Sequence, residues 1–150
     1  MDEKILSFVV ALIAIGISTI VSCQACANAL AVGGTSSSMY SQKRNTIVSI
    51  YISATISATI FLYAFICNIK LIYDLKKDMN LKGSFYKLGA SIVYASTAYS
   101  VGEGIGKIVK EGMPLVEKSK SFFYVFFMML TLLEISLLFS MAITFMANIK

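Results

Sequence analysis

The residue whose type and position most invite chemistry is Glu134. It stands 12 residues after Phe122 and 15 before Ile149, and from Ser121 to Ile149 it is the only charge. An ionised group at the centre of a bilayer costs at least ~2.5–3.5 kcal/mol on insertion scales. Withdrawal from water therefore favours the neutral acid. Such a carboxyl can take up a proton, cross apolar surroundings uncharged, and give the proton up beside a cation. The plainer use of a buried Glu is a hydrogen bond to a Ser, Thr or Tyr on a neighbouring helix. Intramembrane acids are functional by default, so proton carriage is the role expected of Glu134.

The other reactive side chains read differently. Glu103 stands four residues before Lys107, the favourable order for an i,i+4 ion pair, which points to a structural or water-lined role. Cys23-x-x-Cys26 has the spacing of a redox or metal motif, but it lies in an apolar helix with Cys67 in another. Such cysteines serve as small packing residues. Gly102-x-Gly104-x-Gly106 follows no strand and precedes no P-loop lysine, so it is not a nucleotide loop. The chain has no His, which removes histidine triads and His-rich metal sites.

The elements that must hold these residues follow from the distribution of charge. Of the 150 residues, 57% are hydrophobic and 14% charged, and the mean hydropathy is +0.78. Soluble domains carry about a quarter charged residues, so a water-soluble enzyme is excluded, as is intrinsic disorder. Between Lys4 and Lys43 there is no charge, and none from Asn45 to Ile69; from Leu88 to Gly106 the only one is Glu103. A membrane-crossing helix needs roughly 20 mostly apolar residues. The sequence thus predicts an all-α membrane protein with four transmembrane helices, about 5–32, 46–72, 88–109 and 122–149. The first tract lacks the short apolar core of a cleaved signal peptide and is expected to remain as a helix. The tracts do not alternate in polarity as the strands of a membrane β-barrel would.

Loops are expected at Gly33-Gly34-Thr35-Ser36-Ser37-Ser38 through Lys43-Arg44, at Tyr73–Lys87, and at Lys110–Lys120 around Pro114. Six basic residues fall on one side of such a bundle (Lys43, Arg44, Lys107, Lys110, Lys118, Lys120) and seven on the other (Lys4, Lys70, Lys76, Lys77, Lys82, Lys87, Lys150). The positive-inside rule does not choose an orientation on that margin. The net charge of +5 reflects lysine-rich membrane edges and gives no support for nucleic-acid binding.

Small residues line one face of the first helix (Ala11, Ala14, Ser18, Ser22, Ala25, Ala29) and of the third (Ser91, Ala95, Ala98, Gly102, Gly106). Small faces let membrane helices approach closely. The second and fourth helices are bulkier, as lipid-facing helices tend to be. Shifting the sequence by 78 aligns Ser22–Asn28 with Ser100–Gly106, and shifting by 76 aligns Ala58–Ala64 with Glu134–Ser140. One single membrane domain, 1–150, built from two duplicated hairpins, about 1–75 and 76–150, is the organisation expected.

Together these residues resemble the V-type ATPase proteolipid, subunit c, over essentially the whole chain. Lys87-Leu88-Gly89-Ala90 is similar to the family's opening of helix three, and Gly102, Gly106 and Gly112 fall on family glycines. Phe139 follows Glu134 by five residues, where the family usually has tyrosine. Tyr63 matches that tyrosine in helix two, and Ala58 stands where an ancestral carboxylate has been lost. The chain resembles a divergent member. Gln24, Cys26 and Asn28 replace small residues, Tyr94 and Tyr99 are bulky, Glu103 is unusual for its position, and Ala64 and Ser140 replace the glycine after the tyrosine.

The resemblance implies a ring of copies and paralogous proteolipids, with helices one and three inside and two and four outside. It implies no catalysis by the chain itself, but membership of an ATP-driven complex in a vacuolar or other acidified endomembrane. Both termini would be lumenal, with the first and third loops toward the motor. The partners implied are the stator subunit a with its arginine, the central-stalk subunit d, and lipid. Glu134 would be the proton-binding residue, Tyr63 its hydrogen-bond partner and Thr59 a secondary ligand. Sodium-type relatives carry Thr-Gln where this chain has Thr59-Ile60, so the transported ion is expected to be H+ rather than Na+, with no cofactor. Two other functions fit the same residues: a small four-helix proton-coupled transporter, and a structural tetraspan protein.

Overall fold

Four α-helices account for the described residues: α1 (Glu3–Tyr40), α2 (Arg44–Leu75), α3 (Leu81–Lys118) and α4 (Lys120–Ala147). The computed structural model describes residues 3–40, 44–75 and 80–147. Lys43, Lys76, Lys77, Asp78 and the end of the fourth tract, from Asn148 to Lys150, lie outside the described residues. Three segments, Glu3–Ser36, Thr46–Leu75 and Lys120–Ala147, are long and apolar enough to cross a bilayer. The expected third span, 88–109, lies within α3, which is not among them. α3 packs against all three other helices and buries fifteen residues along its length. A helix covered by its neighbours presents fewer side chains to lipid, so it can carry Ser84, Ser91 and Tyr94, all buried, at positions where a lipid-facing helix would need Leu or Ile.

The helices overrun the expected spans. Gly33–Ser38 is not a loop but the last part of α1. Its polar side chains bond back onto the helix: Thr35 Oγ1 donates to the carbonyls of Ala31 and Val32 at 3.1 and 3.0 Å, and Ser38 Oγ to that of Thr35 at 2.8 Å. Tertiary packing adds to this, because Ser36 is buried and Gly33 faces Val109. The third connection, expected over Lys110–Lys120, is reduced to Ser119. That residue is extended, its N–H donates to the Leu115 carbonyl at 2.9 Å, and its own carbonyl accepts from Phe122 N–H at 3.2 Å as α4 begins. Pro114 lies inside α3. It removes the donor for the Lys110 carbonyl, yet buried Met113 and Val116 on either side hold the helix in place.

The α1–α3 contact is the most extensive in the bundle, while among the described residues α1 and α4 do not meet. It depends on Gly102. A Cβ there would stand 2.7 Å from the Ala25 carbonyl oxygen and 2.9 Å from the Ala25 Cβ, so only glycine permits this separation. The same holds less severely at Gly112, where a Cβ would meet the Phe126 ring at 2.7 Å. The two helices run parallel: Ser7 and Ser84 share a hydrogen bond at 2.6 Å across 77 residues, the offset that also joins Ala25 to Gly102, while Val32 meets Gly106 and Gly33 meets Val109 at offsets of 74 and 76. The core is completed by Ile56, Ile60 and Ala64 of α2 and by Phe126, Leu130 and Leu137 of α4.

Candidate functional site

α4 buries Phe126, Leu130, Leu137, Ser140 and Thr144, a stripe at helical spacing. Glu134 lies four residues after Leu130 and three before Leu137, on the edge of that stripe, and is half-buried. On α2 the buried stripe is Ile56, Ile60, Ala64, Cys67 and Leu71, with Thr59 and Tyr63 half-buried along one edge, a turn apart. α2 and α4 touch. Across their contact the Tyr63 hydroxyl and the Glu134 carboxyl are electrostatic neighbours. Two residues 71 positions apart in sequence are thus brought together.

Thr59 is close to this pair along the helix but differently engaged. Its hydroxyl donates to the Ile56 carbonyl of its own helix at 2.7 Å. Its neighbour Ile60 has a fully buried side chain and offers no polar atom beyond its backbone. That backbone carbonyl accepts a hydrogen bond from the Tyr94 hydroxyl at 2.6 Å. Tyr94 is wholly buried. It ties α3 to the turn of α2 that carries Thr59 and Tyr63, although in the sequence it stands out only as a bulky residue on a small-residue face.

The depth of the pair follows from two registers. A Cβ at Gly104 would lie 3.1 Å from the Leu133 side chain, so Gly104 of α3 is level with the residue beside Glu134. Two residues earlier, Gly102 abuts Ala25, close to the middle of the charge-free run between Lys4 and Lys43. Glu134 therefore sits near mid-depth in the apolar bundle, and so does Glu103, on another face of α3. Glu103 pairs with Lys107 at 2.8 Å, both side chains being largely exposed.

Two polar clusters were not apparent as sites in the sequence. In α1–α2, Ser18 Oγ donates to Asn68 Oδ1 at 2.7 Å and Asn68 Nδ2 donates to Thr19 Oγ1 at 2.8 Å. The signal was an isolated amide inside an uncharged tract. At the α2–α3 end, buried Lys87 donates to Asp74 at 2.9 Å, and Lys70 approaches the same carboxylate at 3.6 Å. Lys87 precedes Gly102 by 15 residues, or ~22 Å of helix, beyond the half-thickness of ~15 Å of a hydrocarbon core. Both clusters fasten neighbouring helices. Cys23, Cys26 and Cys67 are free thiols, exposed, half-buried and buried respectively. Among the described residues no three His, Cys, Asp or Glu side chains converge as a metal-binding group. No protein-family model matches the chain, and no curated protein matches it in sequence.

Proposed function

We propose that the chain is a ring-forming proteolipid of the membrane sector of a rotary V-type ATPase, in which Glu134 carries protons across the membrane during ATP-driven rotation. The observation that carries this reading is the meeting of a mid-depth carboxyl on α4 with the Tyr63 hydroxyl of α2, on two helices long and apolar enough to cross a bilayer. The neutral acid would ride through lipid, held by Tyr63. Beside the arginine of a stator subunit a it would ionise and lose its proton. The chain performs no catalysis of its own; the ATP chemistry belongs to the soluble motor, coupled through a central-stalk subunit d.

Further features support the same reading. The parallel pairing of α1 with α3 at offsets of 74 to 77 is similar in size to the shifts of 78 and 76 at which the sequence resembles itself, which suits a duplicated hairpin. The small-faced helices, α1 and α3, are the most closely packed, which suits an inner layer, and α2 and α4 suit an outer one. Thr59 directs its proton to its own helix and Ile60 supplies no side-chain oxygen. A desolvated sodium ion needs several oxygen ligands, so the transported ion in this proposal is the proton. An acidified endomembrane such as a vacuole, with paralogous proteolipids in a mixed ring, is the setting that goes with it.

The test is chemical. A membrane-soluble carbodiimide, which attacks protonated carboxyls in lipid, is expected to label Glu134 and not Glu103. Glu134→Gln is expected to abolish both labelling and ATP-driven acidification of vesicles. Normal pumping by that variant would sink the proposal. A four-helix proton-coupled transporter is the second reading, and one observation favours it: a cleft of about 370 Å³ between α1 and α3, lined in part by Asn28, Tyr99, Glu103 and Lys107. A monomer or dimer in mild detergent that still moves protons without ATPase partners would decide for it.

A further inference from the structure

We infer that this cleft between α1 and α3 is a water-filled vestibule that reaches from one membrane surface to mid-depth. Its volume of about 370 Å³ is far above the ~10–15 Å³ that holds a single water. Its deep end is set by Gly102 against Ala25, the level of Glu134. There the Glu103–Lys107 pair stands with side chains 54% and 69% exposed. Toward the α1–α2 and α3–α4 connections the cleft continues past Lys107 to Lys110, about 12 Å up the helix from Gly102.

A lipid-filled cleft is incompatible with these groups. Charged side chains at bilayer depth face a bundle interior or a water-filled cavity, and this pair lines the cleft between α1 and α3. Hydrocarbon would strip both ions of water with only one hydrogen bond in return. The wall opposite carries Asn28, exposed on α1, whose amide likewise needs a polar neighbour. On α4 at the same depth, by contrast, the exposed side chains carry no charge: Leu132 and Ile135 are apolar, and Ser136 turns its hydroxyl onto the Leu132 carbonyl of its own helix. The two faces thus sort into one for water and one for lipid. This inference does not depend on the proteolipid proposal, since a ring interior or a transporter cavity would each supply the water.

The full-length chain in sealed vesicles, with Cys23, Cys26 and Cys67 replaced by Ala, provides the test. Asn28→Cys and Leu132→Cys are introduced separately and treated with a charged, membrane-impermeant methanethiosulfonate from each side in turn. Asn28→Cys is expected to react at least tenfold faster than Leu132→Cys, and from one side only. Equal, slow rates at both positions would overturn the vestibule. Glu103→Gln supplies an independent measure. A hydrated pair tolerates loss of one charge, so membrane content should stay within about twofold of the parent; a tenfold fall would place Lys107 in lipid. Labelling at Asn28→Cys with no carbodiimide reaction at Glu134 would uphold the vestibule while removing the proteolipid proposal.

Discussion

At the scale of single residues, the nearness of Tyr63 to Glu134 makes a prediction. Tyr63→Phe removes the hydroxyl and keeps the ring, so the rate of carbodiimide labelling of Glu134 should change from that of the parent. An unchanged rate would show that the hydroxyl does not act on the carboxyl. Tyr94 acts one step back, through its bond to the Ile60 carbonyl at 2.6 Å. Tyr94→Phe keeps the ring and removes that bond, a loss of about 0.5–1.5 kcal/mol, readable as a lower midpoint of thermal unfolding in detergent. The sequence made Glu134 legible because a lone charge in an apolar tract is costly wherever the helix lies. Tyr94 was not legible, because its value comes from a carbonyl on another helix, 34 residues away.

At the scale of elements, the decisive contact is α1 against α3. Glycine-to-alanine substitutions separate packing from helix propensity. At Gly102 the added methyl would overlap Ala25, so Gly102→Ala should cost about 1–3 kcal/mol as the helices are forced apart. At Gly16 and Gly83 nothing lies within 4 Å of the added carbon, and alanine there should be neutral or stabilise by up to about 1 kcal/mol through propensity. Melting curves of the three variants check the contrast; similar losses at all three positions would refute it. The α1–α3 small faces were evident from residue spacing, as was the existence of four helices. Helix ends were not. Gly33–Ser38 has the composition of a loop, yet Thr35 and Ser38 turn their hydroxyls onto carbonyls of their own helix while Ser36 is buried. The polarity of α3 misleads in the opposite direction: because its neighbours cover it, its composition understates its place at the centre of the bundle.

At the scale of the whole molecule, α1 and α3, at 38 residues each, are ~57 Å long, well beyond a hydrocarbon core of ~30 Å. Counted from the Gly102–Ala25 level, the longer overhang is at the N-terminal ends of α1 and α3. There the Ser7–Ser84 bond and the Lys70–Asp74–Lys87 cluster hold the helices together. The surface left over is divided by chemistry. Large apolar side chains are exposed along α2 and α4, including Phe61, Phe65, Leu132 and Phe139, and along α1, including Phe8, Leu12 and Ile20, whereas the α1–α3 cleft exposes Asn28, Glu103, Lys107 and Lys110. Lipid can cover the first surface but not the second. Copies arranged in a ring would resolve this by turning α1 and α3 inward and α2 and α4 outward. In mild detergent the particle should then have a mass many times the 16.4 kDa of one chain, and Glu103→Cys on neighbouring copies should remain accessible to polar reagents from the ring interior. A particle no larger than a dimer would remove the ring. The polar face of α3 would then have to close around a cavity within a single bundle.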